Sequence, residues 1–503
     1  MSPLLRSLEK TALPPAPARS GSPVANTGLG RWRAALPVRP LDFKWVLGLL
    51  ILHALLGAVF KNSSFLATVH ALGTLLLGLY LAIRRRPMFH LACWGMYMAG
   101  AEVLWRMTGA YLIWEYGKYA ISLVFLIRFF RGGLKSIYMT PVIYFLLLVP
   151  AVVPTILGSF SPHGLVDMRK LLSFNLSGPL SLLACSLFFS RIRLTDSRTR
   201  RLAVWMVLPI AGIAGAVLFG LTSLEHLEFG RNSNLLASGG FGPNQVSGFL
   251  GMGAFFAVLL ALDPRLEVRL RLLFLAVALW FAAHAALSFS RTGIYLLGAG
   301  LAVALPFSSF RRLLRPQTIL LVAAAIGLGL VTWSFLMRYT EGTIGQRLSS
   351  TNLTRRDLIA MQDIEIWKQN IILGAGVGSS SIAHSEGTAG RQGAHTEYTR
   401  LLAEHGLLGA LAALLLLKMA ARPLLTMPPG FTKGALLGAS AMTLLWMAAS
   451  AMRNAAPGLL IGLAAARFCR PRPPLFRRPA ATAAASPPAS PRLPMARSRA
   501  RGR

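Results

Sequence analysis

Residues 203–222 read AVWMVLPIAGIAGAVLFGLT, and stretches of this kind decide the fold class of the chain. The segment carries no charged side chain, and its length matches the ~20 apolar residues that a helix needs to cross a bilayer. About fourteen apolar segments can be recognised in the sequence. They cover about 43–60, 65–83, 88–112, 118–130, 138–157, 172–190, 203–222, 245–262, 272–289, 292–308, 317–336, 398–420, 434–452 and 455–467.

The composition supports the same fold class. The 503 residues are 54% hydrophobic and only 14% charged, whereas soluble domains have about 25% charged residues. A large soluble helical protein is excluded because the apolar segments are too many, too long and too poor in charge. We therefore predict an all-α polytopic membrane protein with about 12–14 transmembrane helices, since the fourth and fourteenth segments are short.

The distribution of basic residues predicts the orientation in the membrane. The chain has a net charge of +35, but basic residues in a membrane protein mark cytoplasmic loops and do not by themselves indicate a nucleic-acid partner. With the N-terminus inside, most of the 52 basic residues fall on the inner side, which predicts two cytoplasmic termini. The basic tails, 1–42 and 470–503, are rich in Pro and Ala and are predicted to be disordered.

This topology divides the chain into two membrane regions and places the polar stretches of the second on the outer face of the membrane. Residues 43–222 form the N-terminal transmembrane helices, and residues 223–469 form the candidate catalytic region. The polar stretches are 223–244, the turn SFSRTG at 288–293, and one large loop at 337–397. Their basic residues oppose the inside bias, which indicates a functional role.

The large loop contains a predicted amphipathic helix at 355–371. Apolar residues recur there at intervals of three and four, and polar residues occupy other faces, as expected of a helix at the membrane–water boundary. The apolar set is Ala360, Met361, Ile364, Trp367 and Ile371, and the polar set includes Arg356, Asp363 and Lys368.

Four arginines in the polar stretches are candidate phosphate ligands: Arg231, Arg291, Arg355 and Arg356. A guanidinium group matches phosphate oxygens with paired, charge-assisted hydrogen bonds. The alternative is that these side chains reach lipid headgroups, which is common for arginines near the membrane surface. For Arg291, which lies between two apolar segments, the sequence leaves both interpretations open.

His395 and Glu397 are the candidate catalytic residues. They lie at the predicted outer end of an apolar segment, and a histidine can accept a proton near neutral pH. A metal site made by these two residues with His384 and Glu386 is an alternative. We do not predict it, because the spacing matches no known ligand pattern.

Two further motifs are interpreted as structural. The run GAGVG at 374–378 is no phosphate-binding loop, because no strand precedes it and no Lys-Ser/Thr follows, so its glycines are interpreted as points of close backbone approach. Glu102 and Arg106 are four residues apart and predict an ion pair on one helix. Intramembrane charges can also be functional, but we favour a pair buried between helices.

Four stretches together resemble the O-antigen ligase / O-antigen polymerase superfamily. They read FGPNQVSGFL, SFSRTG, RRDLIAMQDIEIWKQNIILGAGVG and HTEYTRLLAEHGLLG, and their order, spacing and sidedness resemble the family pattern. The resemblance covers about 225–415. It implies a fold similar to the GT-C class of membrane glycosyltransferases, with a large periplasmic loop before the helix that carries the histidine.

The resemblance also implies the activity. Such enzymes transfer a glycan from a polyprenyl (undecaprenyl) diphosphate carrier at the periplasmic face of the bacterial inner membrane. Ligases use a sugar of the lipid A–core of lipopolysaccharide as acceptor, and polymerases use another carrier-linked repeat. Neither a metal nor another cofactor is expected, because guanidinium groups can stabilise the departing diphosphate.

The resemblance also implies which residues of this chain correspond to the functional residues of the family. The loop arginine of the family matches Arg231, the arginine of its Ser-Arg turn matches Arg291, and the arginine of its loop helix matches Arg355 or Arg356. The histidine of its His-Asn pair matches His395. The next residue here is Thr396, so Glu397 is the candidate for orienting the histidine.

A transporter without chemistry is the alternative from another class. Transporters often have internal repeats and polar sites near the middle of the membrane. This sequence shows no convincing repeat, and its polar residues concentrate at one boundary. A structural assembly partner is a further alternative, for which the arginines would be dispensable.

Overall fold

A computed structural model describes residues 41–134, 136–157, 165–222, 230, 233–308, 315–349, 356–386, 396–450 and 452–469. Nearly all of the two predicted disordered tails lies outside these residues.

Helices dominate the described chain. In chain order they are α1 (Phe43–Asn62), α2 (Ser64–Ile83), α3 (Met88–Met107), α4 (Tyr116–Phe130), α5 (Met139–Leu148), α6 (Val152–Leu157), α7 (Leu165–Phe189), α8 (Asp196–Thr222), α9 (Pro243–Leu262), α10 (Val268–Leu287), α11 (Arg291–Phe307), α12 (Pro316–Tyr339), α13 (Thr343–Ser349), α14 (Arg356–Gln369), α15 (Ser379–Glu386), α16 (Glu397–Thr426), α17 (Phe431–Ala449) and α18 (Ala455–Leu463). A 3₁₀ turn covers Leu236–Ser238, and two short strands, β1 (Arg193–Leu194) and β2 (Arg467–Phe468), pair in parallel.

The sequence supplies start signals for several of these helices. The Asp42 side chain accepts a hydrogen bond from the Trp45 backbone N–H before α1, and Thr396 accepts one from Thr399 before α16. Pro243 occupies the first turn of α9, where its missing N–H has no helical partner to lose. Between such signals the segments are apolar, and in lipid a helix satisfies each backbone polar group internally.

The predicted class, an all-α polytopic membrane protein, is confirmed. Each of the predicted apolar segments contains a helix, and within the described ranges nine helices are long and apolar enough to cross a membrane. The short fourth and fourteenth segments form the short helices α4 and α18. The helices that could span are α1, α2, the unit formed by α5 and α6, α7, α8, α9, α10, α12 and α16, and α11 is a shorter apolar helix.

Helices α8 and α9 form the centre of the bundle, and α12 lies at its edge. In the most apolar 18-residue stretch of each helix, 83% of the residues are buried in α8 and in α9, compared with 11% in α12. Small residues let neighbouring helices approach α8 closely. A Cβ added at Gly57 of α1 would lie 1.9 Å from the carbonyl oxygen of Gly212 of α8. Such packing drives helix association where lipid removes the hydrophobic difference between inside and outside.

One end of the bundle is tied together by aspartates, and we call it the Asp196 end. Asp196 at the start of α8 accepts hydrogen bonds from the backbone N–H (3.2 Å) and hydroxyl (2.8 Å) of Thr432 in α17. It also pairs with Arg265 in the connection between α9 and α10. Arg200 of α8 donates to Asp263 at 2.5 Å. The connections before α8, between α9 and α10, and before α17 therefore meet at one end.

The opposite end contains the starts of α9 and α11, and we call it the Arg291 end. Helix α9 has 20 residues and is about 30 Å long. Asp263, directly after it, lies at the Asp196 end, so Pro243 lies at the opposite one. Ser290, before α11, donates to Asn244 in the first turn of α9 at 2.7 Å. The stretch 223–244 and the turn at 288–293 therefore lie at the same end, as predicted; which end faces the periplasm stays a prediction.

The loop helix exists as predicted, but one of its polar residues is buried. Helix α14 covers Arg356–Gln369. Asp363, assigned to a face away from the apolar set, is fully buried, whereas Met361 is 67% exposed. The Asp363 carboxylate accepts hydrogen bonds from Ser380 of α15 (2.5 Å) and Thr399 of α16 (2.7 Å). These hydrogen bonds compensate for the burial of the charge and connect the three helices.

Candidate active site

The turn before α11 is held by two segments that are distant in sequence. The Asn234 backbone N–H donates to the carbonyl oxygen of Ser288 at 3.0 Å, and the Ser290 hydroxyl donates to Asn244 at 2.7 Å. Asn234 belongs to the polar stretch 223–244, so this stretch and the turn meet, which agrees with their predicted location on one face. Their contacts set the position at which α11 begins.

A third segment reaches the same turn from the large loop. Arg347 in α13 donates through Nε to the carbonyl oxygen of Phe289 at 3.2 Å. Phe289 has a φ of 56°, a conformation that costs energy in a residue other than glycine and often marks a functional site. Arg291, the first residue of α11, follows two positions later and is half-buried. Arg347 therefore contacts this turn, and Arg291 follows directly after it.

The two positive charges act on each other. The pKa of Arg347 is lowered, first by burial of its guanidinium group and second by the positive charge of Arg291. Burial disfavours the charged form, and so does a neighbouring like charge. Two positive charges therefore lie near each other in a partly desolvated place, which favours the binding of an anion.

The first turn of α11 is fixed against α9 by close packing. The Ser247 hydroxyl accepts a hydrogen bond from the Gly293 backbone N–H at 3.1 Å and donates to the Ser290 carbonyl at 3.0 Å. A Cβ added at Gly293 would lie 2.1 Å from the Ser247 carbonyl oxygen, so only glycine permits this approach. The sequence SRTG thus combines an arginine with the small residue that positions it.

The first turn of α16 contains a buried ionic cluster. Glu397 is fully buried and accepts hydrogen bonds from Arg400 through both carboxylate oxygens, at 2.6 and 3.2 Å. Arg400 also donates to Glu404 at 2.7 Å, and the Met452 backbone N–H donates to Glu397 at 3.3 Å. Buried charges need such partners because their desolvation is costly. The cluster therefore fixes the start of the helix that directly follows His395.

Helix α16 is interrupted at Gly406, and the run GAGVG at 374–378 packs against this interruption. Gly406 has a φ of 59° inside the helix. The backbone N–H groups of Ala375 and Gly376 donate to the carbonyl oxygens of Ala403 (2.8 Å) and Glu404 (3.2 Å). A Cβ at Gly374 would lie 2.3 Å from the backbone of Glu404. The interpretation of GAGVG as a point of close backbone approach is confirmed.

Arg106 connects the region around α11 with the region around α16. It forms the predicted ion pair with Glu102 at 2.6 Å, and both side chains are largely buried. In addition it donates to Gln245 of α9 at 3.4 Å and to the carbonyl oxygen of Arg453 at 3.3 Å. The interpretation as a buried pair is confirmed, but no sequence pattern predicted the two contacts across the bundle.

These contacts form a continuous polar path. Gln245 is the neighbour of Asn244, which contacts the turn before α11, and Arg453 is the neighbour of Met452, whose backbone contacts Glu397. The path therefore runs from the start of α11 through Arg106 to the start of α16. The two helix starts lie at the same end of the bundle, as a shared site requires.

The remaining predicted site residues are described only in part. Arg231, Arg355 and His395 lie outside the described residues, and for Arg356 the structure describes only its place at the start of α14. Among the described residues no group of three or more His, Cys, Asp or Glu side chains could hold a metal ion. His395, a member of the alternative metal site, is not part of that set.

Fold and site together define a multi-pass helical membrane protein with a polar, arginine-containing site at one end of its bundle. Residues 274–414 match the family model described as O-antigen ligase. This part of the chain is thus similar to the O-antigen ligase domain, and the match supports the resemblance to the O-antigen ligase / O-antigen polymerase superfamily. The matched part includes Arg291, α13, α14 and the first half of α16. No curated protein matches the chain.

Proposed function

We propose that the protein is a glycosyltransferase of the O-antigen ligase type in surface polysaccharide synthesis. It transfers a glycan from a polyprenyl (undecaprenyl) diphosphate carrier to an acceptor hydroxyl at the periplasmic face of the bacterial inner membrane, with both termini in the cytoplasm. The observation that carries the proposal is the polar path through Arg106. It brings the starts of α11 and α16 to one end of the bundle, within the region that matches the ligase family.

The donor diphosphate needs positive charge at the membrane boundary. Arg291 supplies it at the start of α11, and we propose Arg231 and either Arg355 or Arg356 as further ligands. When the bond between the anomeric carbon and the diphosphate oxygen breaks, its electron pair stays on the diphosphate. Guanidinium groups already in position stabilise that charge, so the reaction is proposed to proceed without a metal ion.

His395 is proposed as the general base. It accepts the proton of the acceptor hydroxyl while the acceptor oxygen bonds to the anomeric carbon, and direct displacement inverts this centre. A positioned base contributes about 10²–10⁴-fold to the rate. The cluster after His395 supports the assignment because it anchors the helix start two residues away.

Glu397 is proposed to orient His395. Both of its carboxylate oxygens accept hydrogen bonds from Arg400, and one also accepts the Met452 backbone N–H. A carboxylate that is held in this way fixes the backbone of residues 396–397, so we propose that it acts on His395 by positioning the helix start.

The acceptor decides between two members of the superfamily. The matched family is described as O-antigen ligase, which favours a sugar of the lipid A–core as acceptor. Deletion of the gene, followed by analysis of surface polysaccharide, tests this assignment. If the deleted gene encodes a ligase, long carrier-linked chains accumulate that are not attached to the core. Accumulation of single unextended repeats would instead identify a polymerase. Unchanged polysaccharide would contradict both.

A direct assay separates the enzyme from a transporter. Purified protein is incubated with a labelled glycan on a polyprenyl diphosphate and with a core acceptor. We expect labelled product in the absence of any membrane gradient. Movement of the intact donor across vesicles without formation of a new glycosidic bond would indicate a transporter instead.

A further inference from the structure

Arg347 lies at the turn before α11, although no sequence pattern distinguished it from other arginines. Its helix, α13, is anchored there by apolar contacts, because Ile344, Phe289 and Leu336 are all buried in one cluster. The hydrogen bond of Arg347 is made by Nε, which donates to the carbonyl oxygen of Phe289 at 3.2 Å. Its Nη1 and Nη2 atoms donate to no oxygen in the described part of the chain.

The guanidinium group of Arg347 lies in a partly desolvated position near a second positive charge. Burial lowers the pKa of Arg347, and the charge of Arg291 lies near enough to lower it further. Like charges repel more strongly where water is partly excluded. The fold nevertheless holds the two residues together, through the backbone hydrogen bond of Arg347 and the packing of Gly293 against Ser247.

We propose that Arg347 binds the diphosphate of the lipid-linked donor together with Arg291, so that α13 forms one wall of the donor site. The inference rests on the proposed function and adds a binding residue to it. A diphosphate offers oxygen atoms to two guanidinium forks at once, and its charge removes the repulsion between them. When the sugar–diphosphate bond breaks, Arg347 and Arg291 share the growing negative charge.

The alternative role of Arg347 is to hold the turn through Phe289 and nothing more. The two roles differ in their dependence on the phosphate group of the ligand. A residue that contacts the second phosphate discriminates between a polyprenyl diphosphate and a polyprenyl monophosphate. A residue that only supports the turn affects both lipids alike.

Equilibrium binding of these two lipids to the purified full chain tests the proposal. We expect Arg347→Gln to weaken binding of polyprenyl diphosphate by about tenfold or more, as for loss of a charge-assisted hydrogen bond. Binding of the monophosphate should weaken by less than about threefold. Arg347→Lys keeps the charge but lacks the fork, so an intermediate loss is expected. Arg338→Gln, at an exposed arginine at the end of α12, is the matched control and should bind both lipids as wild type does.

The outcomes separate this inference from the proposed function. Wild-type diphosphate affinity in Arg347→Gln, or equal losses for both lipids, would overturn the role of Arg347 and leave the glycosyltransferase proposal intact. Wild-type protein that binds no polyprenyl diphosphate would overturn the proposed function together with the inference. Thermal unfolding of each variant checks its fold, and Arg347→Lys decides the question if Arg347→Gln does not fold.

Discussion

The first turns of α16 and α11 each carry an arginine, but the two arginines have different surroundings. Arg400 in α16 is 2% exposed and donates to Glu397 and Glu404, so two carboxylates neutralise it. Arg291 in α11 is half-buried beside a second guanidinium group, that of Arg347. A buried cation between carboxylates holds helices in place, whereas two neighbouring cations attract an anion.

The difference suggests a division of labour within one site. The cluster around Arg400 keeps the start of α16 rigid, and the turn around Arg291 receives the charged group of the donor. Variants of Arg400 should therefore lose stability, while variants of Arg291 should lose activity in a folded protein. The predictions below test this division, beginning with the largest expected effect.

Arg400→Gln should destabilise the protein by about 3–5 kcal/mol, because it leaves Glu397 and Glu404 as buried carboxylates without a cation. Denaturant unfolding in detergent and the amount of protein in the membrane measure this effect. Lys368→Gln is the matched control, since the pair of Lys368 and Glu365 is exposed and such pairs contribute little. If Arg400→Gln were as stable as wild type, the claim that Arg400 stabilises the start of α16 would be contradicted.

Arg291→Lys should lower glycan transfer by about 10²–10³-fold, as is typical for loss of one preorganised group that stabilises developing charge. A lysine keeps the charge but cannot form the fork. The unfolding free energy should stay close to that of wild type, since lysine keeps the positive charge at this half-buried position. Full transfer activity in the variant would indicate that Arg291 only reaches lipid headgroups.

Gly293→Ala should displace α11 from α9, because the new Cβ would meet the Ser247 carbonyl oxygen at 2.1 Å. Overpacking of this kind costs about 1–3 kcal/mol, and we expect transfer to fall because Arg291 moves with the helix start. Gly298→Ala lies in the same helix with no atom within 4 Å of the added Cβ and serves as control. Equal activity of the two variants would show that the position of Arg291 does not depend on this packing.

Arg265→Gln at the Asp196 end should have the smallest effect. Arg265 pairs with Asp196, but its side chain is 42% exposed, and exposed pairs contribute about 0–1 kcal/mol. Transfer activity should be unchanged, because the pair lies at the end of the bundle opposite to Arg291. A large loss of transfer would contradict the separation of the two ends.

The sequence was sufficient for the fold class and for the grouping of the polar stretches. Uncharged runs such as 203–222 are readable because a bilayer imposes length and composition on a spanning helix. The positive-inside rule then grouped the turn at 288–293 with the stretch 223–244, and the contact of Asn234 with Ser288 confirms that they meet.

Contacts between residues that are distant in the sequence could not be predicted from such local patterns. The spacing of Glu102 and Arg106 predicted their ion pair, but a local pattern contains no information on the contacts of Arg106 with Gln245 and Arg453. Periodicity likewise assigned Asp363 to a polar face. The Ser380 and Thr399 side chains that compensate for its burial belong to other helices, so its environment is set by tertiary packing.

The central claim, that glycan transfer takes place where the starts of α11 and α16 meet, is tested most directly at His395. Purified wild-type protein, His395→Ala and the control His90→Ala, an exposed histidine at the start of α3, are compared in the transfer assay with the polyprenyl diphosphate donor. We expect transfer by wild type and His90→Ala, and a rate lower by about 10²–10⁴-fold in folded His395→Ala. Near-normal transfer by His395→Ala, or no transfer by wild type, would contradict the account.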